Sequence, residues 1–108
     1  MNTNLFDLTG RVAIITGGLG QLGQRFALAL AAYGAKVCLV DISDYKKGKS
    51  SLIDNAIEEG RIFSFKADIT DKESVQTIAK RIENEIGSIS TLINNAAIGC
   101  AYVGLASW

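Results

Sequence analysis

No histidine occurs among the 108 residues, which removes the commonest general base and the commonest metal ligand together. Chemistry in this chain must then draw on a cofactor. Cysteine is scarce as well: Cys38 and Cys100 cannot make a disulfide framework, and in a reducing compartment both stay thiols. Cys38 lies inside an apolar run and reads as core filler. Neither sign of charge is in excess, with eleven Lys and Arg against eleven Asp and Glu, so no net field draws the chain to nucleic acid or to an anionic membrane. An anion must be held by local geometry instead. Apolar runs fall far short of the ~20 residues that span a bilayer. Residues 1–10 carry no basic residue and no apolar core of the kind a signal peptide needs. The expectation is a cytoplasmic protein with no membrane and no nucleic-acid partner.

What is present suffices for one domain, because 48% of the residues are hydrophobic. Val12-Ala13-Ile14-Ile15 is a short, β-branched run entering a glycine-dense loop, the pattern of a strand buried on both faces. Apolar residues are then dense over 22–32, which predicts a largely buried helix ending near Gly34. Lys36-Val37-Cys38-Leu39-Val40 reads as a second strand, capped by Asp41. The alternation continues with a polar helix over 50–59 closed by Gly60, and a third strand, Ile62-Phe63-Ser64-Phe65. Thr70 and Glu73 have capping-box spacing ahead of a helix whose Val75, Ile78, Ala79, Ile82 and Ile86 share one face before Gly87. Thr91-Leu92-Ile93 is the fourth strand. Strands alternating with helices predict an α/β fold, a doubly wound parallel sheet of order 3-2-1-4.

The loop Thr16-Gly17-Gly18-Leu19-Gly20-Gln21-Leu22-Gly23 joins the first strand to the first helix. A dinucleotide pyrophosphate needs bare backbone N–H groups and a helix N-terminus, and glycines let it approach where a Cβ would collide. The placement makes Gly17, Gly20, Gln21, Leu22 and Gly23 candidate cofactor contacts. Asp41 ends the second strand at the spacing of an acid that accepts hydrogen bonds from ribose hydroxyls; the alternative is a turn or capping aspartate. A 2′-phosphate would meet that carboxylate and be repelled, so NAD is expected over NADP. Lys46, Lys47 and Lys49 follow without an arginine and are assigned to a solvated loop face.

From about residue 8 to residue 98 the chain resembles the short-chain dehydrogenase/reductase family, a Rossmann-type fold. The resemblance rests on the TGGLGQLG loop, Asp41, Asp68-Ile69 after the third strand and Asn94-Asn95-Ala96-Ala97 after the fourth. It implies that Asp68 and Ile69 border the adenine. It also implies that Asn95 lies beside the cofactor ribose and braces the central strand, with Ala96 grouped as a cofactor contact. A helix-start aspartate and a strand-end turn are the plainer readings of Asp68 and Asn95. Gln21 occupies the middle glycine position of TGxxxGxG, so the loop also fits the TGxxGxxG of the extended subgroup. Ala97 replaces the glycine of NNAG.

The family's catalytic serine and Tyr-x-x-x-Lys belong to the fifth strand and the following helix, and no Tyr-x-x-x-Lys follows the fourth strand here. Tyr33, Tyr45 and Tyr102 are assigned to packing. The expected organisation is an incomplete nucleotide-binding half-domain over 1–98 and an atypical apolar tail over 99–108. The resemblance implies hydride transfer between NAD and an alcohol or carbonyl substrate, in a chain truncated before its catalytic residues and open to self-association. Two other readings stay open: a non-catalytic NAD-binding module, and the N-terminal part of a sugar-nucleotide epimerase or dehydratase.

Overall fold

The computed structural model describes residues 7–95. Four strands, β1 (Val12–Thr16), β2 (Lys36–Asp41), β3 (Ile62–Lys66) and β4 (Thr91–Asn94), alternate with three helices, α1 (Gln21–Ala32), α2 (Ser51–Glu58) and α3 (Lys72–Glu85). All pairings are parallel and the order is β3-β2-β1-β4, as expected. In register, Thr16 lies between Val40 of β2 and Asn94 of β4, so the ends of three strands meet at one edge of the sheet.

Side chains alternate across a strand, and the two faces of the sheet carry separate cores. Val12, Ile14, Cys38, Val40 and Phe65 pack with Val75, Ile78 and Ile82 of α3. On the other face Ile15, Val37, Leu39 and Ile62 pack with Ala27 and Ala31 of α1 and with Ile53 and Ala56 of α2. Every residue of β1 is buried, which explains its unbroken apolar run. Burial pushes the Cys38 thiol up to about 12, and its place is in the core.

Two expectations about helices are corrected. The first helix is not largely buried: only Gly23, Ala27 and Ala31 are, while Leu22 and Phe26 are exposed at 54% and 38%, as is the C-cap Tyr33 at 54%. Small alanines four apart let α1 lie close to the sheet, and Leu28 and Leu30, packed against the same core, are only partly buried. The capping box of Thr70 and Glu73 is not formed either. Asp71 is the N-cap and accepts from the Glu73 N–H at 3.1 Å, while the Thr70 hydroxyl is spent on Asp68 Oδ1 at 2.6 Å. Aspartate ranks above threonine as a cap, and the helix begins one residue later than the spacing suggests.

β4 lies at one end of the sheet, and among the described residues no strand pairs with its outer edge. The proposed division at 98/99 and the tail beyond it lie outside the described residues. Within them, no helix is long and apolar enough to cross a membrane.

Candidate nucleotide site

The sheet order reverses between β1, which leads outward to β2, and β4, reached from the opposite side. In open α/β sheets the crevice beyond such a switch point takes ligands. Here its floor is the end of β1. Thr16, 1% exposed, shares its hydroxyl proton between Asn94 Oδ1 at 3.2 Å and the Ile93 carbonyl at 3.4 Å, and accepts from the Asn95 N–H at 3.2 Å. Asn95 Nδ2 donates to the Gly17 carbonyl at 3.4 Å. Residues nearly eighty positions apart thus fix where the glycine loop leaves the sheet, and Asn95 braces β1. The sequence had not singled out Thr16, since a threonine ending a strand carries no sign of its distant partner.

The loop glycines have different reasons to be glycine. Gly17 adopts φ +64°, a region that costs an L side chain about 1 kcal/mol or more. A Cβ on Gly18 would lie 2.8 Å from Leu39 Cδ2, and one on Gly23 would lie 2.8 Å from both the Gly17 carbonyl oxygen and the Gly18 Cα. Helix α1 therefore presses directly on the loop backbone. Gly20 differs, because a Cβ there would meet the Gly17 oxygen only at 3.5 Å, an ordinary contact. Among the described residues nothing forbids a side chain at Gly20, and the residue is exposed. Gln21 opens α1 with its side chain in solvent, so the loop accommodates it without distortion.

The loop amides are largely spent inside the protein. Gly17 and Gly18 donate to the Val40 carbonyl at 2.9 and 3.5 Å, Leu19 donates to Asp41 Oδ2 at 3.2 Å, and Gly20 donates to the Gly17 carbonyl at 3.2 Å. The donors left without an internal helical acceptor belong to the first turn of α1, at the exposed Gln21 and Leu22 and the buried Gly23. Gly20, the N-cap, supplies no side-chain cap, and the first turn holds no acid. By contrast α2 is capped by Ser50 and has Asp54 in its first turn, while α3 has Asp71 and Glu73. The positive end of the α1 dipole is left uncompensated and faces the crevice.

Asp41 is half-buried at the end of β2; its Oδ1 accepts from the Ser43 N–H at 3.1 Å and its Oδ2 from Leu19. An ionised carboxylate has about four acceptor positions, which leaves capacity for hydroxyl donors. Beside it an open groove of 380 Å³ is lined by Leu19, Gln24, Asp44, Tyr45, Lys46 and Lys49. Asp68, exposed beyond β3, accepts the Thr70 hydroxyl and the Thr70 N–H, and these bonds hold its carboxyl below the ordinary value. Ile69 is 8% exposed and packs in the α3-side core. The structure thus brings Gly17, Gly20, Gln21, Leu22, Gly23, Asp41 and Asn95 to one end of the sheet, with Asp68 and Ile69 following β3 at the same end. Ala96 lies outside the described residues.

Tyr45 and Lys49 are four residues apart, a Tyr-x-x-x-Lys spacing that the assignment of Tyr45 to packing passes over. They lie in the loop between β2 and α2, not on a helix. The Tyr45 hydroxyl reaches Asp54 Oδ1 at 2.5 Å and the Ser50 carbonyl at 3.1 Å, and burial together with Asp54 raises the phenol's pKa. A catalytic tyrosine needs the opposite shift, so Tyr45 serves packing.

The family model for short chain dehydrogenases matches residues 11–105. The chain is 33% identical over 98 residues to 2-dehydro-3-deoxy-D-gluconate 5-dehydrogenase of Formosa agariphila, covering 91% of this chain and 37% of that protein. It is 36% identical over 91 residues to galactitol 2-dehydrogenase of Agrobacterium fabrum, covering 84% and 34%. A crystal structure of a short-chain type dehydrogenase/reductase from Mycobacterium marinum superposes with a TM-score of 0.75 at 29% identity, covering 91% of this chain and 40% of that one. The chain thus spans well under half the length of each.

Proposed function

The chain belongs to the short-chain dehydrogenase family, a family of nicotinamide-dependent oxidoreductases, and from that premise we propose that it holds NAD, in preference to NADP, for hydride transfer to or from an alcohol or carbonyl substrate. The observation that carries this reading is the uncapped first turn of α1 beside Asp41. Gly20 offers a surface that a Cβ would cover, and no acid in that turn opposes an anion. The residues fit a dinucleotide. N–H groups of Gln21, Leu22 and Gly23 would hold the pyrophosphate and Asp41 the adenosine ribose diol; Asp68 and Ile69 would flank the adenine, and Asn95 with Ala96 the second ribose. When bound, the nicotinamide supplies the hydride acceptor or donor.

The chain's own residues bind and orient; the proton carrier of a complete enzyme would come from sequence beyond the fourth strand that is not in these 108 residues. A polyol or sugar-acid substrate accords with the named activities of two of the relatives above. The test is calorimetric titration of the chain with NAD and with NADP. Tighter binding of NAD is expected. Equal or reversed affinities overturn the NAD preference, and no binding of either overturns the site itself.

A further inference from the structure

Leu19 is gripped on both sides by side chains from two different elements. Asp41, at the end of β2, takes its N–H at 3.2 Å, and Gln24, in the first turns of α1, donates Nε2 to its carbonyl at 2.8 Å. Its neighbours Gly18 and Gly20 have no side chains with which to hold the loop, and glycine backbone is the freest to move. Left to itself, a loop of Gly17, Gly18, Leu19 and Gly20 would sample many shapes, and each would have to be given up when an anion arrived. The two grips set the peptide before Leu19 against β2 and the peptide after it against α1, and Gly20, whose carbonyl starts the helix by accepting from the Gln24 N–H at 3.0 Å, follows directly.

Resting on the nucleotide-site reading above, we infer that Gln24 is a positioning residue which, with Asp41, clamps the Leu19 backbone on both sides of its Cα and keeps the glycine loop in the shape that receives a pyrophosphate. Asp41 then has two tasks, recognition of the ribose and closure of the clamp. Gln24 has one, and it acts equally on any nucleotide that carries a pyrophosphate. The two grips are also interdependent: they hold the two peptide planes that flank the Leu19 Cα, so once one is released Leu19 can turn about φ and ψ, and the other holds little.

ADP-ribose, which carries the diol and the pyrophosphate without the nicotinamide, is the probe, titrated into the 108-residue chain as wild type, Gln24→Ala, Asp41→Asn and the double variant. Gln24→Ala should weaken binding about 3- to 10-fold, the range set by one hydrogen bond. In the Asp41→Asn background, where the charged grip is already relaxed, the same change should cost less than about 2-fold, a departure from additivity expected only of coupled groups. Gln24→Ala should leave the ratio of NAD to NADP affinity unmoved. Amide exchange at Leu19, followed by NMR in the unliganded chain, should accelerate in Gln24→Ala while the β1 amides keep their protection. Equal losses in both backgrounds, or unaltered exchange at Leu19, would overturn the clamp and leave the nucleotide site standing. A wild-type chain that does not bind ADP-ribose overturns the site, and the clamp with it.

Discussion

At Asp41 one carboxylate serves the N–H groups of Leu19 and Ser43 before any ligand arrives, so its removal acts on more than recognition. Asp41→Ser in a chain completed with a relative's second half should weaken NAD by about 1.5 to 3 kcal/mol, roughly 10- to 150-fold, and narrow or reverse the preference over NADP. Affinities for both cofactors, measured by fluorescence titration, check this; unchanged constants would refute the ribose assignment. The position of Asp41 was legible because a strand end at a fixed spacing from a glycine loop is a one-dimensional pattern. Gln24 was not, since its bond to the Leu19 carbonyl depends on how sharply the loop turns into α1. Tyr45 and Lys49 show the converse: a spacing that matches a catalytic pair in the sequence lies here in a loop, where the tyrosine is occupied by Asp54.

The elements divide in the same way. All four strands were legible as short apolar runs; β1 and β2, buried on both faces, announce themselves by composition, while β3 and β4 are only partly buried and were placed by their alternation with the helices. The exposure of Leu22 and Phe26 was not, because apolar residues on every side of a helix do not say which side lacks a partner. At the loop–helix junction the glycines separate packing from ligand approach. Gly23→Val should lower stability by about 1 to 3 kcal/mol, the cost of overpacking against backbone that cannot swing aside, and should abolish nucleotide binding. Gly20→Ala should leave the unfolding midpoint close to wild type and, on the proposed reading, still weaken NAD, since the added methyl makes only an ordinary contact with the loop and would stand where the ligand approaches. Thermal melts with paired calorimetry distinguish them; a destabilised Gly20→Ala with intact binding would reverse the assignment. The start of α3 gives a second pair. Asp71→Ala should cost about 1 kcal/mol of stability by urea unfolding, and Thr70→Ala measurably less, because the threonine hydroxyl bonds to Asp68 and not to the helix. Equal losses would restore Thr70 as the cap.

For the whole molecule, strand order followed from the sequence because right-handed crossovers leave few ways to lay alternating strands and helices into one sheet. The same order sets the behaviour of the 108 residues in isolation. β4 is an end strand, Leu92 on it is 36% exposed, and Leu22 and Phe26 add apolar surface on α1. Among the described residues nothing pairs with the outer edge of β4, and unpaired N–H and C=O groups beside apolar side chains recruit other strands. The polypeptide should therefore self-associate, seen as species larger than a monomer by sedimentation velocity at micromolar concentration. It should also give no detectable NAD reduction with a broad panel of alcohols and polyols. Positioned acid–base groups supply about 10²- to 10⁴-fold in rate, and orientation of a substrate in its pocket supplies more. Tyr33, Tyr45 and Tyr102 cannot provide them: Tyr33 and Tyr102 have no lysine four residues on, and the phenol of Tyr45 is shifted the wrong way. Binding without turnover is thus the expected pairing. A monomer with measurable dehydrogenase turnover would show that the β4 edge is satisfied within these residues and that a proton carrier lies among them.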